Sequence, residues 1–218
     1  KVICIGTDKA VSPLNTYGAT KLLMEKLFIS ANNYINREKH MTKFIAVRYG
    51  NVFGSSGSVV PIFVEQIKKK EKITITDPKM TRFSVTMNEA LDFILNATVC
   101  GKGSEIFVPK MRSYNIMDVV DTLQNLIGNY GQEVIGIRPG EKLHEVLINE
   151  DEIRQTWEYN DMYLVSNPLY ATFHGKEISD NYENITELTN LENYSSAFSE
   201  KISKNELEIM IKNSGLVD

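Results

Sequence analysis

Apolar positions along the chain fall into short continuous runs, set between longer stretches whose apolar residues recur at helical spacing. Val2-Ile3-Cys4-Ile5 is one such run, rich in β-branched residues. A strand buried on both faces of a parallel sheet has this pattern. Phe44-Ile45-Ala46-Val47 and Glu105-Ile106-Phe107-Val108 repeat it, and Ile73 to Thr76, Val134 to Ile137 and Met162 to Val165 predict further strands. The first helical stretch runs from about Tyr17 to Asn33, with Leu23, Leu27 and Ala31 on one stripe. Ser12-Pro13 ahead of it forces an extended or turn segment, and Asn15 or Thr16 can cap its start. Val60 to Lys70 and Asn115 to Ile127 also read as helices. Thr86-Met87-Asn88-Glu89 has capping-box spacing and opens a helix through Cys100. His144 to Ile148 looks helical, patterning weakens beyond Asp151, and Lys204 to Asn213 reads as a closing helix.

Strands alternating with helices at this spacing predict an α/β fold with a parallel sheet. Open sheets of this kind bind ligands beyond the carboxyl ends of their strands. Asp8-Lys9 follows the first strand directly, and the glycine- and serine-rich run "RYGNVFGSSGS", Arg48 to Ser58, follows the next. If those strands are neighbours, both loops face one crevice.

Composition narrows the class. A chain of 218 residues holds one large domain, or one domain with a smaller companion. Hydrophobic residues make up 42% and charged residues 24%, as in a soluble globular protein. The net charge of -4, without a basic stripe, argues against nucleic acid as a partner. Lys68-Lys69-Lys70 reads as a solvated helix end, where cations meet the negative end of the dipole. Two cysteines make neither a disulfide framework nor a zinc site. Cys4, inside an apolar run, reads as a buried reduced thiol, which fits a cytoplasmic protein. No apolar run reaches the ~18 residues of a membrane span, and no signal peptide is visible. His40, His144 and His174 are scattered, so no metal is expected.

Several residues carry candidate chemistry. Tyr17 and Lys21 stand four apart, on one helix face. A nearby ammonium favours tyrosinate, and such a tyrosine can take a hydroxyl proton as hydride leaves the same carbon. A half-buried tyrosine beside a surface lysine is the plainer reading. Asp8 and Lys9 can serve as general acid and general base if desolvation and the second cation, Lys21, lower the lysine's pKa; a turn with solvated charges is the alternative. Asn51, Gly54 and Gly57 lie where backbone can approach a ligand closely, or in a flexible connection. Arg138 and Glu141 flank Pro139-Gly140; an arginine on such a turn suits a diphosphate, or simply a surface.

Taken together, five ordered runs carry a resemblance: "TDKAVSPLNTYGATK" (Thr7 to Lys21), "VRYGNVFGSSGSVVP" (Val47 to Pro61), "ITDPKMTRF" (Ile75 to Phe83), "EIFVPKM" (Glu105 to Met111) and "GIRPGEKLHE" (Gly136 to Glu145). "NYSSAF" from Asn193 agrees with them. The chain resembles the extended short-chain dehydrogenase/reductases, and within them the UDP-N-acetylglucosamine 4,6-dehydratases of polysaccharide and glycan biosynthesis. Retention of Tyr17, where some members carry methionine, is similar to the inverting, 5-epimerising type that opens the pseudaminic acid pathway.

The resemblance implies a fold: the C-terminal part of a Rossmann-type parallel sheet, with a smaller α/β substrate-binding domain. Residues 1–57 and 84–110 would form the nucleotide-binding part, and 58–83 and 111–218 the UDP-sugar domain. It implies roles as well. Thr7, Tyr17 and Lys21 would oxidise the sugar at C4, Lys9 would remove the C5 proton, and Asp8 would protonate the departing 6-hydroxyl. Gly6, Thr7, Tyr17, Lys21, Val52, Phe53, Gly54, Ser55 and Ser56 would line NADP, or NAD. Asn51, Arg138 and Glu141 would hold UDP-N-acetylglucosamine or a similar UDP-sugar. The complete enzyme would be a cytoplasmic homo-oligomer. Gly6 stands where the family usually has serine, at the loss of one hydrogen bond near the nicotinamide. The sequence also has no G-x-G-x-x-G, the loop that holds a cofactor pyrophosphate on a helix N-terminus. Members carry it upstream of the part matched here, so the expectation is an active parent enzyme, a chain poor in NADP binding alone, and a sheet with an open edge. A UDP-sugar 4-epimerase or reductase of the same fold, and a non-enzymatic fragment or subunit of a split protein, are the competing readings.

Overall fold

The computed structural model describes residues 1–36 and 38–217. The strands, in chain order, are Val2–Ile5 (β1), Phe44–Val47 (β2), Asn51–Val52 (β3), Ile73–Ile75 (β4), Thr81–Val85 (β5), Glu105–Pro109 (β6), Arg112–Asn115 (β7), Gln132–Val134 (β8), Val146–Ile148 (β9), Thr156–Tyr159 (β10), Met162–Ser166 (β11), Ile185–Glu187 (β12) and Tyr194–Ser195 (β13). The helices are Thr16–Ala31 (α1), Val59–Lys68 (α2), Met87–Cys100 (α3), Ile116–Ile127 (α4), Glu150–Ile153 (α5), Tyr170–His174 (α6) and Lys204–Asn213 (α7). Among the described residues no helix is long and apolar enough to cross a membrane.

The chain divides into two compact units, one of Lys1–Tyr49, Asn88–Lys110 and Val146–Ser195, the other of Gly50–Met87, Met111–Glu145 and Ser196–Asp218. The first contains a six-stranded sheet in the order β1-β2-β6-β11-β10-β12. β1, β2 and β6 run parallel. β11, β10 and β12 continue the sheet antiparallel. Ile45, Ala46 and Val47 are fully buried because successive strand residues face opposite ways and both faces are covered. Phe28 of α1 meets Phe44 edge-on at 6.1 Å on one face. On the other, Phe93 and Ala97 of α3 pack with Ile45, Val47 and Phe107.

In the second unit α2, α4 and α7 enclose Val60, Phe63, Ile67, Val119, Leu123, Leu207 and Ile211, with Ile73 and Ile75 of β4 among them. β3 pairs parallel with β5, β5 antiparallel with β7, and β4 parallel with β8.

Several sequence expectations are corrected. The strand expected at Val134 to Ile137 ends at Val134, because β8 registers Gln132–Val134 against Ile73–Ile75 and Gly136 then takes φ +86°. His144 to Ile148, expected helical, contains β9, which pairs with β13. A short apolar run fits either period, and its strand partner lies far along the chain. The α1 stripe of Leu23 and Leu27 is exposed at 60% and 61%; Gly18, Glu25 and Ile29 face inward instead. The compact units place residues 50–57 and 84–87 in the second and 146–195 in the first; these are units of packing, while the expected nucleotide- and sugar-binding parts are a division by function. β10 and β11 extend the β6 edge, which carries the third segment into the first unit.

Candidate functional site

β1 ends at Ile5, and Gly6 N–H donates to Val47 O at 2.7 Å. A Cβ at Gly6 would meet that same carbonyl oxygen at 2.7 Å. Glycine is therefore what this strand end admits, whatever a serine would gain. A single 3₁₀ turn, Asp8–Ala10, follows, and Thr7 caps it, accepting from Lys9 N–H at 3.5 Å. Asp8 N–H donates to Tyr49 O at 3.1 Å, so the backbones leaving the parallel neighbours β1 and β2 are joined.

The Asp8 side chain is fully buried. Its Oδ1 accepts from Thr7 Oγ1 at 2.8 Å and pairs with Lys9 Nζ at 3.0 Å. Its Oδ2 is buried with no hydrogen-bond partner. An unsatisfied buried carboxylate oxygen costs free energy unless another group completes it. Lys9 is partly open, its side chain 41% exposed.

Asn15 caps α1, accepting from Gly18 N–H at 2.9 Å. Tyr17 and Lys21 occupy the first turns, with Lys21 Nζ 5.7 Å from the Tyr17 ring centroid. Tyr17 is 55% exposed. Cys4, on the neighbouring strand, is buried; burial first, then the Glu25 charge, push its thiol up to about 11 against the pull of Lys21.

The remaining expected residues belong to the second unit. Asn51 and Val52 form β3, Phe53 meets Tyr114 edge-on at 6.2 Å, and Gly54 takes φ +71° ahead of Ser55 and Ser56. Arg138 and Glu141 share one turn: Glu141 N–H donates to Arg138 O at 3.0 Å, and Arg138 N–H to Glu141 Oε2 at 3.4 Å.

One charged group escaped the sequence reading. Arg48, fully buried at the end of β2, binds Glu25 of α1 and Glu152 of α5. The available signal was two charges inside apolar surroundings: Glu25, one turn past Lys21, and Arg48, directly after a buried strand.

A nicotinamide cofactor fits what these residues present. Tyr17, 55% exposed, and Lys21 stand on the first turns of α1, which follows the carboxyl end of β1, and the Thr7 hydroxyl in that connection donates to Asp8 Oδ1.

The parallel strands β1, β2 and β6, with helices on both faces, define a Rossmann-type fold. The chain belongs to the polysaccharide biosynthesis protein family, whose sequence profile matches residues 1–167. It is 44% identical over 167 residues to an inverting UDP-N-acetylglucosamine 4,6-dehydratase of Campylobacter jejuni, covering 76% of this chain and 48% of that one. It is 39% identical over 166 residues to a UDP-glucose 4-epimerase of Rickettsia bellii, again covering 76% and 48%. The X-ray structure of Pen from Bacillus thuringiensis superposes with a TM-score of 0.81 at 36% identity, over 100% of this chain and 62% of that one. The chain thus spans about half the length of these curated relatives. The resemblance read from the five motifs is borne out.

Proposed function

We propose that this chain carries the acid, the base and the C4-oxidising residues of a UDP-N-acetylglucosamine 4,6-dehydratase that also inverts C5. The Asp8–Lys9 pair carries the reading, with its shared 3.0 Å contact and the buried, unpartnered Asp8 Oδ2. The C. jejuni relative is an inverting dehydratase by name, which supports the same reading.

Protons balance on this pair. Tyr17 Oη takes the 4-hydroxyl proton, assisted by Thr7 and by the Lys21 charge. The 4-keto group acidifies the C5 proton, and neutral Lys9 Nζ accepts it. Asp8, as the carboxylic acid, gives its proton to the departing 6-hydroxyl, which leaves as water. Elimination therefore converts a neutral pair into the ion pair seen in the structure. One proton crossing the 3.0 Å contact restores the neutral pair, and a desolvating substrate favours that neutral form. Protonation at C5 from the opposite face, by solvent, would give the inverted centre, and it is balanced by the proton that Tyr17 Oη releases to solvent as it returns to tyrosinate. NADP, or NAD, supplies the hydride acceptor at C4 and the hydride returned at C6. Lys21 would also hold the nicotinamide ribose, Gly6 and Val52 to Ser56 would line the cofactor, and Asn51, Arg138 and Glu141 would bind the UDP-sugar.

The test supplies UDP-N-acetylglucosamine and NADP to the chain in deuterium oxide, with and without the remaining length of a relative as a second polypeptide. A 4-keto-6-deoxy product deuterated at C5 is expected when the enzyme is complete. Turnover by the chain alone would refute the need for further residues; none by the complete enzyme would sink the assignment. The R. bellii relative keeps a 4-epimerase in play, and Lys9 separates the two. Epimerisation at C4 needs no base for C5. Lys9→Ala should abolish C5 exchange and leave hydride transfer measurable.

A further inference from the structure

Arg48 spends every N–H it has. Nε donates to Glu25 Oε2 at 3.0 Å and Nη2 to Glu25 Oε1 at 2.5 Å, a bidentate fork. Nη1 donates to Glu152 Oε2 at 2.9 Å and to Leu147 O at 2.8 Å, and Nη2 donates to Glu152 Oε1 at 3.0 Å. Five donors meet five acceptors on two helices and a strand, all within the first unit. Burial opposes the charge on Arg48, but Glu25 and then Glu152 outweigh it and hold the guanidinium protonated. Glu152 in turn is held below the usual carboxylate range, with burial opposing and Arg48 and Lys26 prevailing. Two carboxylates on one guanidinium leave one negative charge, which Lys26 answers; Glu152 and Lys26 both line a cavity of about 470 Å³.

Glu25 is the informative partner. It lies one turn beyond Lys21 and two beyond Tyr17, on the face they share. At its start, α1 is pressed onto the 3₁₀ turn: a Cβ on Gly18 would stand 2.4 Å from Lys9 O and 2.8 Å from Pro13 Cβ. The helix is thus pinned at Gly18 and again at Glu25, with Lys21 between the pins. On the opposite side Leu23 and Leu27 are exposed.

We propose that Arg48 is a positioning residue, which fixes the roll of α1 through Glu25 and so sets Tyr17 and Lys21 against Thr7, Asp8 and Lys9. The catalytic consequence rests on the roles given to those residues above. Neutral Glu25→Gln releases the helix while leaving Arg48 its Glu152 partner. Glu152→Gln weakens the same cluster but leaves α1 clamped. The comparison thus separates positioning from stability.

The experiment has two arms. Hydrogen exchange on the full chain reads α1 amides between Ala19 and Glu25, and steady-state kinetics on the completed enzyme reads kcat and KM. Glu25→Gln, and Arg48→Lys with its lost fork, should speed exchange in α1. Both should lower kcat about 10- to 100-fold with KM little changed, the effect of a displacement of about 1 Å in a reacting group. Glu152→Gln should lower Tm comparably yet leave kcat and α1 exchange near the parent values. Equal kcat losses in Glu25→Gln and Glu152→Gln, or unchanged α1 exchange in Glu25→Gln, would overturn the proposal. If the completed parent enzyme shows no turnover, the functional reading fails, and the exchange arm still decides whether Arg48 clamps α1.

Discussion

Gly18 faces two opposed demands. Inside a helix, alanine is favoured over glycine by about 1 kcal/mol. Here the added Cβ would stand 2.4 Å from Lys9 O, a backbone atom that cannot swing aside. The clash should win, so Gly18→Ala is expected to destabilise by about 1–3 kcal/mol, the range for overpacking. At about 2–4 °C per kcal/mol for a chain of this size, a calorimetric Tm shows the sign directly; a raised Tm would refute the close approach. His144 offers a second residue-level measurement. Its Nδ1 lies 2.8 Å from Thr81 Oγ1, and burial, then Lys201 and Arg82, hold its imidazole below the ordinary 6.5, against Asp77. On acidification the unfolded chain therefore binds the proton first. The stability this histidine contributes is complete above 6.5 and lost as pH falls through the lower folded value. Tm measured from about pH 7.5 down to 5 should sag, and His144→Gln should flatten that sag. A single residue's surroundings also set what its sequence reveals. The strand, turn and helix that carry Thr7, Asp8, Lys9, Tyr17 and Lys21 were legible because they follow one another directly. Arg48 was not, since its carboxylate partners lie 23 and 104 positions away.

α1 shows how far periodicity reaches at the scale of an element. Its existence and its cap were legible: Asn15 precedes a run with no proline and a single glycine, and its Oδ1 does accept from Gly18 N–H. Asn15→Ala should cost about 1 kcal/mol, typical for a lost N-cap. Exchange should then quicken first in the turn that bears Tyr17; protection unchanged there would mean the Gly18 contact alone holds the end. Which face α1 buries was not legible, because leucines recur around it and a small Gly18 and a charged Glu25 decide the side. Leu23→Glu with Leu27→Glu should accordingly change the stability of the chain, read from its Tm, by no more than the few tenths of a kcal/mol usual for surface changes. A larger loss would mean that side is covered. β9 was misread for a related reason. Three apolar residues support either period, and only the pairing of Val146 and Ile148 with Ser195 and Tyr194 settles it.

At the scale of the molecule, alternating strands and helices revealed the α/β class but not the bookkeeping of segments. The chain enters each unit three times. Sequence order gives no sign that β10 and β11 return to the sheet of β6, because that join rests on backbone hydrogen bonds and not on side-chain pattern. The second unit's core is completed by Leu207 and Ile211 of α7. Leu207→Ala should cost about 2–5 kcal/mol, as for other buried truncations. Hydrogen exchange should rise in α2 and α4, whose residues share that core. An effect confined to α7 would show the helix to be a separable appendage. The interleaving also bears on how the protein is made. A ribosome delivers the chain from its amino end, and domains generally fold as units as they emerge. Here the strands that finish the first sheet arrive only after most of the second unit's residues. The helix that closes the second core follows every other element of both units. Neither unit can seal itself early, so the nascent chain must carry both sets of apolar residues unburied until α7 has emerged, the interval in which a chaperone would find it.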